Sequence, residues 1–242
     1  MSDEPLADVR DMYLAHIMFR REIGLGAGLI LGVAAHDVER AAIVADHLQL
    51  VEGVLEHHHQ AEDKHIWPRL LDRAGGDVDD VVRVMQQQHG QIDTLVEELR
   101  AGLADWRGSA DPDRGAALAT TVGQLSERLA EHLDTEEARA IPLIEQHITA
   151  AEWAGMIADG AEDVDPALMP LMFGLMAYEG DPDTVRDIIA GLPPEVGSVI
   201  GDLAGQAFAE HAHRVYGTST PERIGSRAHD VAPAVREPVA KG

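Results

Sequence analysis

Apolar positions recur at helical spacing over four long stretches of the chain. Leu14, Ile17 and Met18 set one stripe on a first segment, residues 6–31. Four glycines between positions 24 and 32 are expected to fray or end it. A second segment covers residues 37–71 and stops at Ala74, Gly75 and Gly76, as a C-terminal glycine stops a helix. Asp77 is the expected N-cap of a third segment, residues 78–106. There Val81, Val84, Met85, His89, Ile92, Leu95, Val96 and Leu99 share one stripe. Asp111 before Pro112 pairs a capping side chain with proline at the first helical position, opening a fourth segment to about residue 146. Pro68 and Pro142 fall inside the second and fourth segments, so each must kink its helix or restart it.

Past residue 148 the pattern changes. Thr149 and Glu152 fit a capping box, and Asp165-Pro166, Asp181-Pro182 and Pro193-Pro194 mark further helix starts. Residues 149–217 therefore read as four short helices, rich in Met and Gly, and residues 218–242 as a loose polar tail. These helices could cap a bundle, restrict access to its interior or form a homodimer contact.

Histidines and acids repeat across the long segments. His58, Glu62, Asp63 and Pro68 are matched 74 residues later by His132, Glu136, Glu137 and Pro142. His16 and His89 stand 73 residues apart, 42 and 43 residues ahead of the paired motifs. On a helix, positions i and i+4 lie about 40° apart around the axis, so a His-x-x-x-Glu can offer both donors to one ion. Four helices with inward His and Glu are how bundles hold two metals with bridging carboxylates. The expected fold is all-α: an up-down-up-down four-helix bundle over residues 1–148 with an additional C-terminal set of short helices.

Composition narrows the chemistry. Only three Phe, three Tyr and three Trp occur among 45% apolar residues, so the core must be built from Ala, Val, Leu, Ile and Met, which favours helices. With no cysteine, thiolate zinc sites and iron–sulfur clusters are excluded, while imidazole and carboxylate suit iron, manganese or zinc, iron best for two bridging glutamates. A net charge of −24 argues against nucleic acid or an anionic membrane as partner. No apolar run reaches the roughly 18 residues that span a bilayer. The acidic start, Ser2, Asp3 and Glu4, is unlike a secretory signal, so a cytoplasmic location is expected.

With His16 in the first segment, His58 and Glu62 in the second, His89 in the third and His132 and Glu136 in the fourth, residues 6–148 resemble the hemerythrin-like, or HHE cation-binding, proteins. The resemblance implies a non-haem diiron centre, two iron ions with an oxo or hydroxo bridge. Asp93 stands where the oxygen carriers of the family have a second helix-three histidine. Glu137 rather than Glu136 matches their terminal acid, but the parallel with Glu62 favours Glu136. The expected metal residues are thus His16, His58, Glu62, His89, Asp93, His132 and Glu136. The expected function is action on oxygen-derived small molecules. Peroxide decomposition, a catalase-like activity, stands ahead of O2 transport because Asp93 would lower the nitrogen count. Binding of O2 or NO, iron sensing or storage, and a structural zinc site are the alternatives.

Other residues take supporting parts. Asp63 and Glu137 are expected to accept hydrogen bonds from ligand histidines, which fixes their tautomers. Tyr13, one turn before His16, could donate to a bound oxygen species or simply pack at the boundary. Arg20 could pair with Glu62 or Asp63. One of His57 and His59 could supplement the site, although an inter-helix hydrogen bond is the first expectation, and His65 should sit above the site. His47, about 16 Å along the helix from His58, is too remote to share its metal. His211 and His213 are expected at the surface.

Overall fold

The computed structural model describes residues 4–76, 78–162 and 164–225; among them are ten α-helices and no strand. Asp77 and most of the expected tail lie outside the described residues. Helix α1 (Arg10–Leu31) continues through Gly24, Gly26 and Gly28, where a break was expected. Packing explains the difference. A Cβ at Gly26 would stand 2.9 Å from both Leu48 Cδ2 and Val122 Cγ1, so glycine lets neighbouring helices approach. That contact outweighs a propensity cost of about 1 kcal/mol per glycine.

Helix α2 (Val38–His65) is capped by Asp37, whose side chain accepts the Arg40 N–H at 3.0 Å. Both internal prolines restart helices. Pro68 sits in the first turn of α3 (Trp67–Arg73), where its missing N–H costs nothing. Pro142 does the same for α6 (Ile141–His147), after α4 (Val78–Trp106) and the Asp111-capped α5 (Pro112–Arg139). A reciprocal capping box opens α7 (Ala150–Glu162): Thr149 N–H donates to Glu152 Oε2 at 3.1 Å, and Glu152 N–H to Thr149 Oγ1 at 3.3 Å. Asp165 forms a turn rather than a helix start, and α8 begins later (Met169–Glu179). Asp181 caps α9 (Pro182–Gly191). The last helix, α10 (Pro194–Tyr216), has 23 residues and is not the short element expected.

The long helices form a ring in which α1 packs on α2 and α5, and α4 closes the circuit between α2 and α5. Two apolar clusters lie along its axis. The larger holds Phe19, Leu48, Leu55, Leu99, Leu125 and Leu129, joined by Leu175 of α8 and Phe208 of α10. The smaller holds Met12, Trp67, Leu70, Met85, Ile141, Ile144 and Trp153. Each fully buried Leu or Ile contributes roughly 1.5–3 kcal/mol. Between the clusters every long helix passes through one polar layer: His16 on α1, residues 58–62 on α2, His89 on α4, residues 132–136 on α5. Chain order through the layers reverses from each long helix to the next, so successive helices run in alternate senses. None of the described helices is long and apolar enough to cross a membrane.

Candidate metal centre

Buried donors converge in that layer as two groups, each with its ligand atoms within 4.8 Å of one another: His16, His58, Glu62 and Glu136, and His59, His89 and His132. Glu62 faces both groups. Its Oε1 lies 3.1 Å from His58 Nε2 and its Oε2 3.4 Å from His89 Nε2. Glu136 does likewise, with Oε2 3.3 Å from His16 Nε2 and 3.6 Å from His132 Nε2. Two donors each about 2.1 Å from a shared ion, at right angles, stand about 3 Å apart, so these spacings are those of ligands around a cation.

Hydrogen bonding separates inner from outer nitrogens. His16 Nδ1 meets Glu137 at 2.9 Å, His89 Nδ1 meets Asp63 at 3.1 Å, and His132 Nδ1 meets the Gln88 side-chain oxygen at 3.2 Å. Their Nε2 atoms have no hydrogen-bond partner. Neither does His58 Nε2, either nitrogen of His59, or either oxygen of Glu62 and Glu136. Leaving so many buried polar atoms unmade would cost about 1–3 kcal/mol each. Outer nitrogens held by acceptors and inner nitrogens left free is the pattern of metal-ligating histidine. The residues fit a cation.

Electrostatics agree. Burial, reinforced by neighbouring imidazoles, pushes His58 down to about 3 and His59 well below its usual range. Burial likewise lowers His132 to about 4. These three stay neutral, with lone pairs available. Burial also disfavours charge on His16 and His89, but the surrounding carboxylates outweigh it and lift them to about 9 and about 10. Burial and the nearby Glu136 raise Glu62 to about 8, whereas His16 holds Glu136 low in spite of its burial. Two carboxylates packed this closely demand positive charge, whether as protons or as cations.

Helix geometry explains why two adjacent histidines serve different groups. Successive positions rotate by about 100°, and α2 lies between α1 and α4. His58 therefore faces α1, its ring 5.5 Å from that of His16 and 5.2 Å from Phe19. His59 faces the other way, stacked on His89 at 4.1 Å and edge-on to His132 at 5.0 Å. The first expectation for His59, an inter-helix hydrogen bond, is not met; its placement fits the alternative, a supplement to the site. The paired histidines were the available signal, legible only once the neighbours on either side of α2 are known.

Asp93 belongs to neither donor group. It is exposed, on the wall of a cavity beside His59. Six of the seven expected metal residues lie in the donor groups, with His59 added. Glu136 points inward, while Glu137 is held outside by His16 and by Arg20 at 2.6 Å. Arg20 thus pairs with Glu137 and Asp134 on α5, not with Glu62 or Asp63 on α2, because the α1–α5 seam is the one it faces. Tyr13 is half-buried against the smaller apolar cluster, its phenol kept protonated by burial and by Glu137. His57 Nδ1–H donates within its own helix to the Gly53 carbonyl at 2.7 Å, and His65 turns to Asp159 of α7 at 2.9 Å. His211 is buried, not at the surface; its Nε2 lies 3.0 Å from His47 Nδ1. His213 is exposed.

Fold and site together define a helical-bundle protein with a buried His/Glu cation centre. The family model of the hemerythrin HHE cation binding domain matches residues 7–144, more than half of the chain, and the chain belongs to that family. No curated protein and no solved structure matched it.

Proposed function

We propose that the chain is a non-haem diiron protein that binds and acts on oxygen-derived small molecules: O2, NO or peroxide. The observation that supports it best is the double reach of Glu62 and Glu136, each set against one imidazole from either donor group. In this reading Glu62 and Glu136 would each help hold both irons. His59, His89 and His132 would hold one ion, His16 and His58 the other. A bound diiron pair supplies reversible one- and two-electron chemistry on oxygen species.

The chain's own residues prepare that site. Asp63, Gln88 and Glu137 fix the tautomers that aim Nε2 inward. Apolar clusters on both sides exclude water from the layer. The group with two imidazoles would leave its ion the fewer protein donors, so that ion would be the one with a position for an external ligand. With His59 in place of Asp93 the centre offers five imidazoles. The nitrogen shortage that favoured peroxide chemistry over reversible binding is removed, and both uses stand on equal terms.

Metal analysis and an optical spectrum of aerobically purified protein test the reading. Two irons per chain with near-ultraviolet charge-transfer absorption are expected. Glu62→Ala should retain no more than one iron and lose that absorption. Protein that carries one zinc and no iron would overturn it. Oxygen evolution from added peroxide by the wild type, absent in Glu62→Ala, then marks an enzyme. A spectral change with O2 or NO and no evolution marks a binder.

A further inference from the structure

The donor layer is closed off by apolar clusters along the bundle axis, so a cation must enter from the side. On the α2–α4 side a cavity of about 150 Å³ is lined by Glu56, His59, Gln60, Asp63, Asp93 and Glu97, together with Val96 and Arg100. Four carboxylates face a single guanidinium there, and that guanidinium is already engaged by Glu52 at 2.9 Å and Glu56 at 2.8 Å. Asp63 is held by His89. Asp93 and Glu97, one turn apart on α4, are exposed and have no ion-pair partner among the described residues.

His59 connects this cavity to the interior. Its ring is 3% exposed, neither nitrogen has a hydrogen-bond partner, and the same ring lines the cavity and belongs to the inner group with His89 and His132. A buried, unpartnered imidazole behind an acidic mouth is a donor that can take a cation from outside and present it within. Carboxylates suit the first step, because hard oxygen donors accept a hydrated divalent ion without stripping all its water. Imidazole suits the second, since it competes better for a transition metal.

We propose that this cavity is the entry port for divalent transition-metal ions, with Asp93 and Glu97 as the capturing carboxylates and His59 as the relay to the inner donors. A cleft lined by one sign of charge raises the local counter-ion concentration and the association rate, by ten- to a thousandfold in strongly focused cases. The proposal rests on the diiron reading only in taking His59, His89 and His132 as metal donors. Asp93, expected in the sequence to be a ligand, becomes a residue of passage.

The test is stopped-flow uptake of Co2+ by the metal-stripped full chain, with final stoichiometry measured separately. Wild-type loading should slow as ionic strength rises. Asp93→Asn combined with Glu97→Gln should load about tenfold more slowly at low salt, lose most of that salt dependence and reach the same final stoichiometry. Asp79→Asn combined with Asp113→Asn removes the same charge at two exposed helix starts; Asp79 is about 21 Å along α4 from Asp93. This control should load at the wild-type rate. Equal rates in all three proteins, or equal slowing by the control, would overturn the port. So would a lower final stoichiometry in the Asp93/Glu97 variant, which would make those residues resident ligands. A wild-type chain that takes up no Co2+ overturns the metal-centre reading as well; the other failures leave that reading standing.

Discussion

Around Glu22 and around Glu62 the bundle buries two clusters that both contain His and Glu, yet the first leaves just one of its buried side-chain atoms, Arg21 Nη2, without a hydrogen-bond partner among the described residues, while the second leaves most of its inner atoms so. In the first, Glu22 is 2.6 Å from Arg21 Nη1 and 3.2 Å from His47 Nε2, and it also accepts the Tyr216 hydroxyl. His47 passes the chain of hydrogen bonds on to His211, and Arg21 reaches Glu179 at 3.1 Å while lying over the Tyr178 and Tyr216 rings. In the second, the imidazoles and carboxylates turn their inner atoms toward one another with no hydrogen bond made. The first contains an arginine and a tyrosine that supply charge and protons; the second contains only metal-type donors. A buried polar cluster whose hydrogen bonds are nearly all made joins α8 and α10 to the bundle. One whose inner hydrogen bonds are not made calls for a cation.

The largest effect that sharpens this contrast is the response to removing one carboxyl charge from each cluster. Glu22→Gln leaves Arg21 short of its nearest counter-charge and should cost about 3 kcal/mol, or about 6–12 °C in melting temperature, with metal content unchanged. Glu136→Gln should lower metal content, and in chelated protein should cost less than half as much as Glu22→Gln. Thermal melts with and without chelator measure both. Equal losses in chelated protein would erase the distinction.

Next in size is an acid response of the Glu22 cluster. Burial, with the neighbouring charges of His47 and Arg214, pushes His211 from an ordinary 6.5 down to about 4. Its folded pKa is depressed, so the unfolded chain binds the proton first and stability falls as pH drops from about 6.5 to about 4. The full loss is up to about 3 kcal/mol. Glu22 acts in the same direction: burial opposes its charge, but His47 and Arg21 outweigh that and hold its carboxyl low. The stability difference between wild type and His211→Gln, followed against pH, should shrink across that window; a constant difference would show that His211 does not titrate with folding.

The smallest predicted effect concerns an outer support of the Glu62 cluster. Gln88→Ala removes the acceptor for His132 Nδ1 and should weaken metal binding about tenfold, measured by competition with a chelator. Stability of the chelated protein should hardly change. If affinity is untouched, the tautomer of His132 is set by something other than Gln88.

Much of this was readable along the chain. The cap at Asp111, the box at Thr149 and Glu152 and the proline restarts at Pro68 and Pro142 are local signals, governed by groups within a turn or two, and they appear where read. The His-x-x-x-Glu spacing likewise brought His58 to Glu62 and His132 to Glu136 because one turn of helix fixes that distance. Three readings that depended on facing helices came out otherwise: Arg20 chose Glu137, His59 joined the donors, and His211 became buried. Gly26 belongs with them, since its helix survives on contacts with Leu48 and Val122 far away in sequence.

The sequence by itself therefore determined the helices, their caps and the donors related by one helical turn, because those depend on periodicity and local hydrogen bonding. Only the tertiary structure decided which side of α2 each of His58 and His59 addresses, which carboxylate of Glu136 and Glu137 points inward, and which buried cluster makes most of its hydrogen bonds internally. The physical reason is that a side chain's role in a core is set by what stands across from it. For this chain that is decided by how helices far apart in sequence meet.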